Sequence, residues 1–338
     1  MKLVVQIPCL NEEETLPSVL ESIPTEIPGI DEIVVLIVDD GCSDRTVEVA
    51  REHGVTEFVH HVRNQGLGRS FHDGVVRALE LGADIVVNTD GDNQYPQDRI
   101  TDLVQPIIHR QADIVIADRQ VDLVEHFSGL KKVLQKAGST VVNRAAGTKL
   151  PDAASGFRAY SRESLMLLNT ITRFSYCMET IIQAGNKNMR IASIPVLTNP
   201  KTRESRLFKS MPEHIAKSGA AIVRSFMMYK PYVIFAWLTA IFGVLGVIPF
   251  ARYGVLWLRD TEGGHLQSLL LGALLLIMAF MSLMLGVISD LIRTNRILIE
   301  DTLEHTKKMR FGKSGTELLL DQTSEPDFDW PRHHTRSV

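Results

Sequence analysis

The chain is predicted to be an α/β protein built on a mostly parallel sheet and followed by two transmembrane α-helices. Three observations lead there. Short β-rich runs at residues 3–7, 33–38, 58–62, 84–88 and 114–117 alternate with stretches of helical periodicity, the rhythm of β-α-β units. Residues 232–251 and 269–289 carry no charge at all, and about 20 apolar residues are enough to cross roughly 30 Å of hydrocarbon. Clusters of Asp, Asn and Gly stand immediately after several of the early runs, where an open α/β sheet gathers its ligands.

In chain order, the first run is too short for a secretory-signal core, so folding is expected to begin with this strand. Pro8, Asn11 and an acidic turn that includes Glu13 follow it. After the second run, Ser43 or Asp44 is a suitable N-cap for a helix over residues 45–53. A helix over residues 69–81 precedes the fourth strand, and Pro96 stands where the next helix starts. The aromatic residues Tyr229, Tyr232, Trp237, Tyr253 and Trp257 lie near the ends of the first apolar span, as at membrane interfaces. Lys217, Arg224 and Lys230 precede this span and Arg293, Arg296, Lys307, Lys308 and Arg310 follow the second, against Arg252 and Arg259 between them. That asymmetry predicts that the α/β domain and both termini are cytoplasmic. We expect an α/β domain over residues 1–210, two spans with a short loop over 231–292, and a polar cytoplasmic tail over 293–338 that is loosely ordered beyond Glu300. Residues 211–230 suit either a helix in the headgroup layer or one packed on the catalytic domain.

Composition narrows the function. A net charge of −4 argues against nucleic-acid binding, which needs a clustered basic excess. Cys9, Cys42 and Cys177 are odd in number and widely spaced, so neither a disulfide framework nor a zinc site is indicated.

The most informative segment is Thr89-Asp90-Gly91-Asp92-Asn93-Gln94-Tyr95-Pro96, directly after the fourth run. Two carboxylates one residue apart repel, and a hard, oxygen-liking cation such as Mg²⁺ or Mn²⁺ relieves that repulsion while bridging to a diphosphate. An Asp-Gly turn uses the same residues; the position after a strand favours the metal. Asp39 and Asp40 follow the second run, where carboxylates can accept from a base or ribose.

These segments, with Arg63-Asn64-Gln65-Gly66-Leu67-Gly68 between them, resemble in order and spacing the family-2 inverting glycosyltransferases of the GT-A (Rossmann-like) fold. The likeness is closest to the dolichol-phosphate mannose synthase and polyprenyl-phosphate glycosyltransferase branch, and covers residues 2–208. It implies that Pro8, Asn11, Glu13, Asp39, Gly66, Gly68 and Asp90 line the nucleotide-sugar pocket. It also implies that Asp90, Asp92 and Gln94 serve a Mg²⁺ or Mn²⁺ ion. Ser155-Gly156-Phe157-Arg158 and Arg203-Glu204-Ser205-Arg206 match two further family segments, so Asp92, Arg158 and Arg206 are expected at the reaction centre. Arg119, Lys131, Lys132, Arg203 and Arg206 are expected at the phosphate of a polyprenyl or dolichyl acceptor, because Arg and Lys bind phosphate through charge-assisted hydrogen bonds. Cys9 and Cys42 depart from the commoner Ala, Tyr or Ser, and Arg206 from Lys. The Q-x-x-R-W motif of processive synthases is absent from the sequence.

The expected reaction is inverting sugar transfer from a nucleotide diphosphate sugar to lipid phosphate at the cytoplasmic membrane face. A hydroxyl acceptor would need a general base, for which Glu179 and Asp152 are the candidates, and a non-catalytic membrane scaffold is the reading from another class. GDP-mannose, UDP-glucose and UDP-N-acetylglucosamine stay open as donors, and so does oligomeric state.

Overall fold

A computed structural model of the chain describes residues 1–120, 129–172, 176–200, 231–258 and 266–312, with backbone alone at 129–137. Its centre is a seven-stranded sheet in the order β3-β2-β1-β4-β6-β5-β7. The strands are β1 (Lys2–Cys9), β2 (Glu32–Asp39), β3 (Glu57–His60), β4 (Ile85–Asn88), β5 (Ile114–Asp118), β6 (Arg158–Ser161) and β7 (Ile191–Pro195). All are parallel to their neighbours except β6, which runs antiparallel between β4 and β5. The five strands expected from the sequence form with ends shifted by one or two residues. The last two were not expected: β6 is four residues long and begins with an arginine, and neither it nor β7 stands out as an apolar run.

Alternation along the strands builds a core on each face of the sheet, because successive side chains point to opposite sides. Leu3, Val5 and Ile7 of β1 pack with Leu16 and Val19 of α1 (Leu16–Ser22), Ala50 of α2 (Thr46–Glu52) and Leu103 and Val104 of α4 (Ile100–Ile108). On the other face Val4 and Leu36 meet Phe71 and Val75 of α3 (Leu67–Glu80), Val142 of α5 (Gly129–Ala146), Leu165 of α6 (Arg162–Leu167) and Ile181 of α7 (Tyr176–Asn186). The chain thus has three layers, helices on both sides of a sheet buried on both faces.

The expected spans form as an antiparallel hairpin of α8 (Pro231–Leu258) and α9 (Leu266–Phe311). Glycines let them close up: a Cβ on Gly246 would meet Leu276 Cγ at 3.0 Å, and one on Gly272 would meet Phe250 Cε2 at 2.8 Å. Both helices are long and apolar enough to cross a membrane, with only 6% and 17% of their most apolar windows buried. A helix of a water-soluble core would hide those side chains, so the hairpin suggests a membrane anchor.

The polar tail expected from residue 293 is in fact the continuation of α9 up to Phe311, which folds back onto the catalytic domain. Half-shielded or buried positions recur at Arg293, Arg296, Glu300, Glu304, Lys307 and Phe311, a stripe at helical spacing. Phe311 joins the core beside Phe71, Leu79 and Leu165. Its carbonyl accepts from Arg162, whose other arm donates to Ala83 O at 2.7 Å. Lys307 donates to Leu168 O at 2.6 Å and to Asn169 Oδ1 at 2.7 Å. Arg310 pairs with Glu80 at 2.7 Å and Glu304 with Lys187 at 3.6 Å. The juxtamembrane segment 211–230 and the tail from residue 313 lie outside the described residues.

Candidate active site

The connections of β1 lead to β2 on one side, while β4 flanks it on the other. The carboxyl ends of β1 and β4 therefore mark the point where strand order reverses, the crevice used for ligands in open α/β sheets. Three loops converge there.

The loops after β1 and β2 are joined by reciprocal hydrogen bonds, because these strands end level, Cys9 opposite Asp39. Asn11 takes a left-handed backbone conformation, φ 58°, which Asn tolerates better than most residues. Its Oδ1 accepts from Ser43 N at 2.7 Å. Glu13 Oε2 accepts from Arg45 N at 3.0 Å, and Glu13 N donates to Asp44 Oδ2 at 3.2 Å. Asp44 Oδ1 also accepts from Thr46 N at 3.1 Å, but the N-cap position of α2 falls on Arg45, which makes no side-chain cap bond, one residue beyond the Asp44 that the sequence suggested. The Cys42 sulfur accepts from Asn11 N at 3.3 Å, so a cysteine here bridges the two loops as a hydroxyl would. Burial first, then the Asp39 charge, push this thiol up to about 12, against the lowering bond from Asn11.

Asp39 and Asp40 organise what lies beyond. Asp39 Oδ1 accepts from Gly41 N at 3.1 Å and Cys42 N at 2.7 Å, and Oδ2 faces His60 Nδ1 at 2.9 Å. Burial alone would raise this carboxyl; the bonds from His60 and Cys42 outweigh it and hold the group below its usual value. His60 stacks on Phe58 with centroids 5.6 Å apart and planes 6° apart, and Arg51 lies over the Phe58 ring at 5.3 Å. Asp40 accepts from Gln65 N at 2.8 Å and Gly66 N at 2.9 Å, fixing the glycine-rich loop at the start of α3. His61 sits between Asp40, at 2.7 Å, and Asp73 of α3, at 3.1 Å. Gly41 has φ 81°, and a Cβ there would strike the Arg63 backbone at 2.8 Å, so only glycine lets the two loops touch. His60 and His61 carry no motif and fall inside the third run, which reads as a strand through Val62, and Asp73 falls within the helix expected over residues 69–81. The strand ends at His60, which turns both histidines from strand interior into site edge.

The third loop leaves β4 and carries Asp90 and Asp92. Thr15 Oγ1 donates to Gly91 O at 2.7 Å, and a Cβ on Gly91 would meet Cys9 Sγ at 3.2 Å, so this loop lies against the end of β1. Asn93 is left-handed at φ 58°, and Asn199 beyond β7 donates to its carbonyl at 3.0 Å. Gln94 braces Asp92, its Nε2 donating to Oδ2 at 2.8 Å and its N–H to Oδ1 at 3.2 Å. Asp90 rests against Gly156, where a Cβ would lie 3.3 Å from Asp90 Oδ2. Gly156 is itself held by Tyr95 and Tyr176: its N–H donates to Tyr95 Oη at 3.1 Å and its carbonyl accepts from Tyr176 Oη at 2.8 Å.

Residues 4–168 match the model of the family described as glycosyl transferase family 2. A glycosyltransferase of Mycobacterium tuberculosis strain H37Rv is 31% identical over 203 residues, 59% of this chain and 85% of that protein. The chain belongs to glycosyl transferase family 2. The UDP-N-acetylglucosamine–dolichyl-phosphate N-acetylglucosaminyltransferase of Methanococcus voltae is 29% identical to this family 2 enzyme over 214 residues, 57% of this chain and 83% of the relative. Among solved structures, the glucosyl-3-phosphoglycerate synthase of Mycobacterium tuberculosis, in complex with Mn²⁺, UDP-glucose and phosphoglyceric acid, superposes with a TM-score of 0.51. It is 22% identical and covers 65% of this chain and 79% of that one, a likeness of fold.

Within this glycosyltransferase the expected site residues fare differently. Asn11, Glu13 and Asp39 lie on the joined loops, Pro8 stands at the end of β1, Gly66 and Gly68 at the start of α3, and Asp90 and Asp92 on the loop that Thr15 ties to the end of β1. Arg158, expected to touch the reacting groups, is fully buried. It donates to the carbonyls of Ser155 at 2.7 Å, Ala153 at 3.1 Å and Cys177 at 2.9 Å and to Thr180 Oγ1 at 3.0 Å. These bonds tie the loop that backs Asp90 to α7, so Arg158 supports the site through its neighbours. Arg119, expected at the lipid phosphate, is held by Asp152 through bonds of 2.6 and 3.1 Å that use its Nε and Nη2. The same pair occupies Asp152. Glu179, the other candidate base, is buried and accepts from Ile171 N, Thr172 N and Thr172 Oγ1. The side chains of Lys131 and Lys132, and all of Arg203 and Arg206, lie outside the described residues.

Proposed function

We propose that the protein transfers a hexose or N-acetylhexosamine, with inversion, from a nucleoside diphosphate sugar to a polyprenyl or dolichyl phosphate at the cytoplasmic face of a membrane. The observation that carries this is the convergence of the Asp90–Asp92 loop and the joined loops after β1 and β2 at one end of the sheet, in a family 2 chain whose α8–α9 hairpin is bare and apolar. The joined loops would hold the nucleoside through Asn11, Glu13 and Asp39. The amide-rich entry to α3, fixed by Asp40, would face the diphosphate, since a helix start favours anions.

The residues present fit a Mg²⁺ or Mn²⁺ ion. Asp90 and Asp92 offer hard oxygen donors, Gln94 orients Asp92, and Gly156 leaves room beside Asp90 that a side chain would fill. Among the described residues no three His, Cys, Asp or Glu groups form a metal site. Two carboxylates completed by substrate phosphate and water are a usual Mg²⁺ set. When bound, such an ion supplies charge neutralisation for the leaving diphosphate.

The acceptor follows from the fate of the candidate bases. A sugar or glycerol hydroxyl needs a base to take its proton; Asp152 is paired with Arg119, and Glu179 is 1% exposed with its Oε2 bonded to Ile171 N and Thr172, which keeps its carboxylate away from an acceptor. A phosphate monoester with a second pKa of about 6 is already anionic at neutral pH. Lys131, Lys132, Arg203 and Arg206 are the residues we assign to holding it. The test is a panel of labelled nucleotide sugars with membranes and Mg²⁺ or Mn²⁺, reading label in an acid-labile lipid. Asp92→Asn is expected to lower that transfer about 100-fold, the usual cost of removing one electrostatic stabiliser. Unchanged transfer, or label only in acid-stable lipid, refutes the assignment.

A further inference from the structure

The β2–β3 ladder ends with His60 level with Asp39, and one more backbone bond, from His61 N to Asp39 O at 2.9 Å, carries the register past the strand end. That bond sets the His61 ring beside Asp40, with only 4% of the side chain open. Nδ1 lies 2.7 Å from Asp40 Oδ1, and Nε2 lies 3.1 Å from Asp73 Oδ2 on α3. An ionised carboxylate only accepts, whereas a neutral imidazole has one donor and one acceptor. Facing two carboxylates, both ring nitrogens donate, and the ring is an imidazolium.

Both carboxylates hold other groups as well. Asp40 accepts from Gln65 N and Gly66 N at 2.8 and 2.9 Å. Asp73 accepts from Arg69 Nε at 2.7 Å and faces His72 Nδ1 at 3.1 Å. Burial alone would raise the Asp73 carboxyl; the bonds from His72 and Arg69 outweigh it and hold the group below its usual value. Without a cation between them, Asp40 and Asp73 would be like charges sharing one closed space, which is relieved by turning away or by taking a proton. Either response weakens the hold on Gln65 and Gly66.

From this geometry we infer that His61 is a positioning residue for donor binding: its charge, shared between Asp40 and Asp73, ties the glycine-rich loop to α3 and fixes the amides that would face a nucleoside diphosphate. The inference rests on the proposed nucleotide site. His61 is closed off from solvent, so it acts through Asp40 and the loop and not on the sugar. The Asp90–Asp92 loop leaves a different strand and keeps its own bonds from Thr15 and Gln94. Loss of the bridge therefore weakens donor binding and spares the step that follows it.

The test uses the full-length protein in detergent with Mn²⁺ and compares the wild type with His61→Gln, Asp73→Ala and the double variant. Calorimetric titration with UDP and with GDP reads affinity. Transfer of label from UDP-glucose, UDP-N-acetylglucosamine or GDP-mannose to membrane lipid reads donor KM against kcat. His61→Gln is expected to weaken the nucleotide that binds the wild type by about tenfold, the scale of a charge-assisted hydrogen bond, and Asp73→Ala by at least about threefold. Donor KM is expected to rise by the same factor while kcat stays within about twofold, the signature of binding energy lost equally from ground and transition states. Because the two residues form one bridge, the double variant is expected to bind no more weakly than His61→Gln, within about twofold. Affinity unchanged in either single variant, losses that multiply in the double variant, or a fall in kcat at unchanged KM overturns the inference and leaves the transferase reading standing. If neither nucleotide binds the wild type, the proposed nucleotide site falls, and this inference with it. Asp73 stands on a partly open face of α3, its side chain 20% exposed, so Asp73→Ala tests the bridge even where His61→Gln fails to fold.

Discussion

Arg158 and His60 carry opposite lessons at the scale of the residue. Arg158 matches a family segment, yet its donors are consumed by three carbonyls and a hydroxyl in a fully buried setting. Arg158→Met strands those acceptors, at about 1–3 kcal/mol for each buried group left unpaired. The expected result is a Tm lowered by several degrees, with UDP affinity in the folded fraction changed far less; thermal melts and titration together check it. Arg119 and Asp152 pair across 33 positions, and Glu179 is buried against the 171–172 backbone, partners that no motif encodes. His60 stands instead in a strand run and matches no motif, yet it faces Asp39 at 2.9 Å. Its bond opposes burial and keeps the Asp39 carboxyl below its ordinary value. Because the folded value is lowered, this carboxylate supports the loop above its unfolded pKa, and the support is lost as pH falls through the folded value. His60→Ala removes that bond, so acid loss of UDP binding is expected to begin at higher pH in the variant. UDP titrations between about pH 3 and 6, around the reference carboxylate value, measure the displacement.

Among the elements, α9 departs most from its sequence reading. The first half reads as a span because uncharged residues run on without a break. The second half looked like a tail because its inward stripe is mostly charged: Arg296, Glu300, Glu304 and Lys307 precede Phe311. These charges are absorbed by Arg296–Glu300 at 2.7 Å, by Lys187 and by carbonyls of the α6 region. Among the described residues of this half, Phe311 is the buried apolar one, an anchor of about 1.5–3 kcal/mol if fully buried. Phe311→Ala is expected to raise amide exchange across residues 300–311 without touching the 269–289 span. Lys307 titrates near 8, lowered by burial and then by Lys187, with Glu304 opposing. A lysine whose folded value is depressed destabilises the docked form below that value. As pH rises from about 8 towards the ordinary lysine value of about 10.4, the undocked form holds more protons, so docking strengthens. Exchange of residues 300–311, corrected for the intrinsic pH effect, checks this sign.

For the whole molecule, the docked end of α9 makes the membrane hairpin and the catalytic domain one packed unit. At 1.5 Å per residue, the 46 residues of α9 span about 69 Å, of which some 30 Å suffices for the hydrocarbon. A chain ended at residue 230 loses the hairpin and also uncovers Phe71, Leu79, Leu165 and Leu168, which line the seam with Phe311 and Lys307. Such a truncation is expected to aggregate and to melt at lower temperature than the full chain in detergent, by light scattering and calorimetry. Gly246→Leu or Gly272→Leu should part the hairpin, since the space opposite each is filled at about 3 Å. Helix contact across the hairpin, read by cysteine crosslinking, tests that outcome.

The alternating β rhythm, the two uncharged spans and the ordered Asp and Gly segments were legible in the sequence because each is local: periodicity, length and contiguous residues carry them. They gave the fold class, the family likeness and the outline of the nucleotide and Asp90–Asp92 loops. Only the tertiary structure decided which polar groups were left for chemistry. Arg119 meets Asp152 33 positions away, His61 meets Asp40 21 positions away, and Lys307 meets Leu168 139 positions away. A buried charge or hydrogen-bonding group must find its partner wherever the chain passes. Those assignments are made by packing across the sheet, which local pattern does not contain.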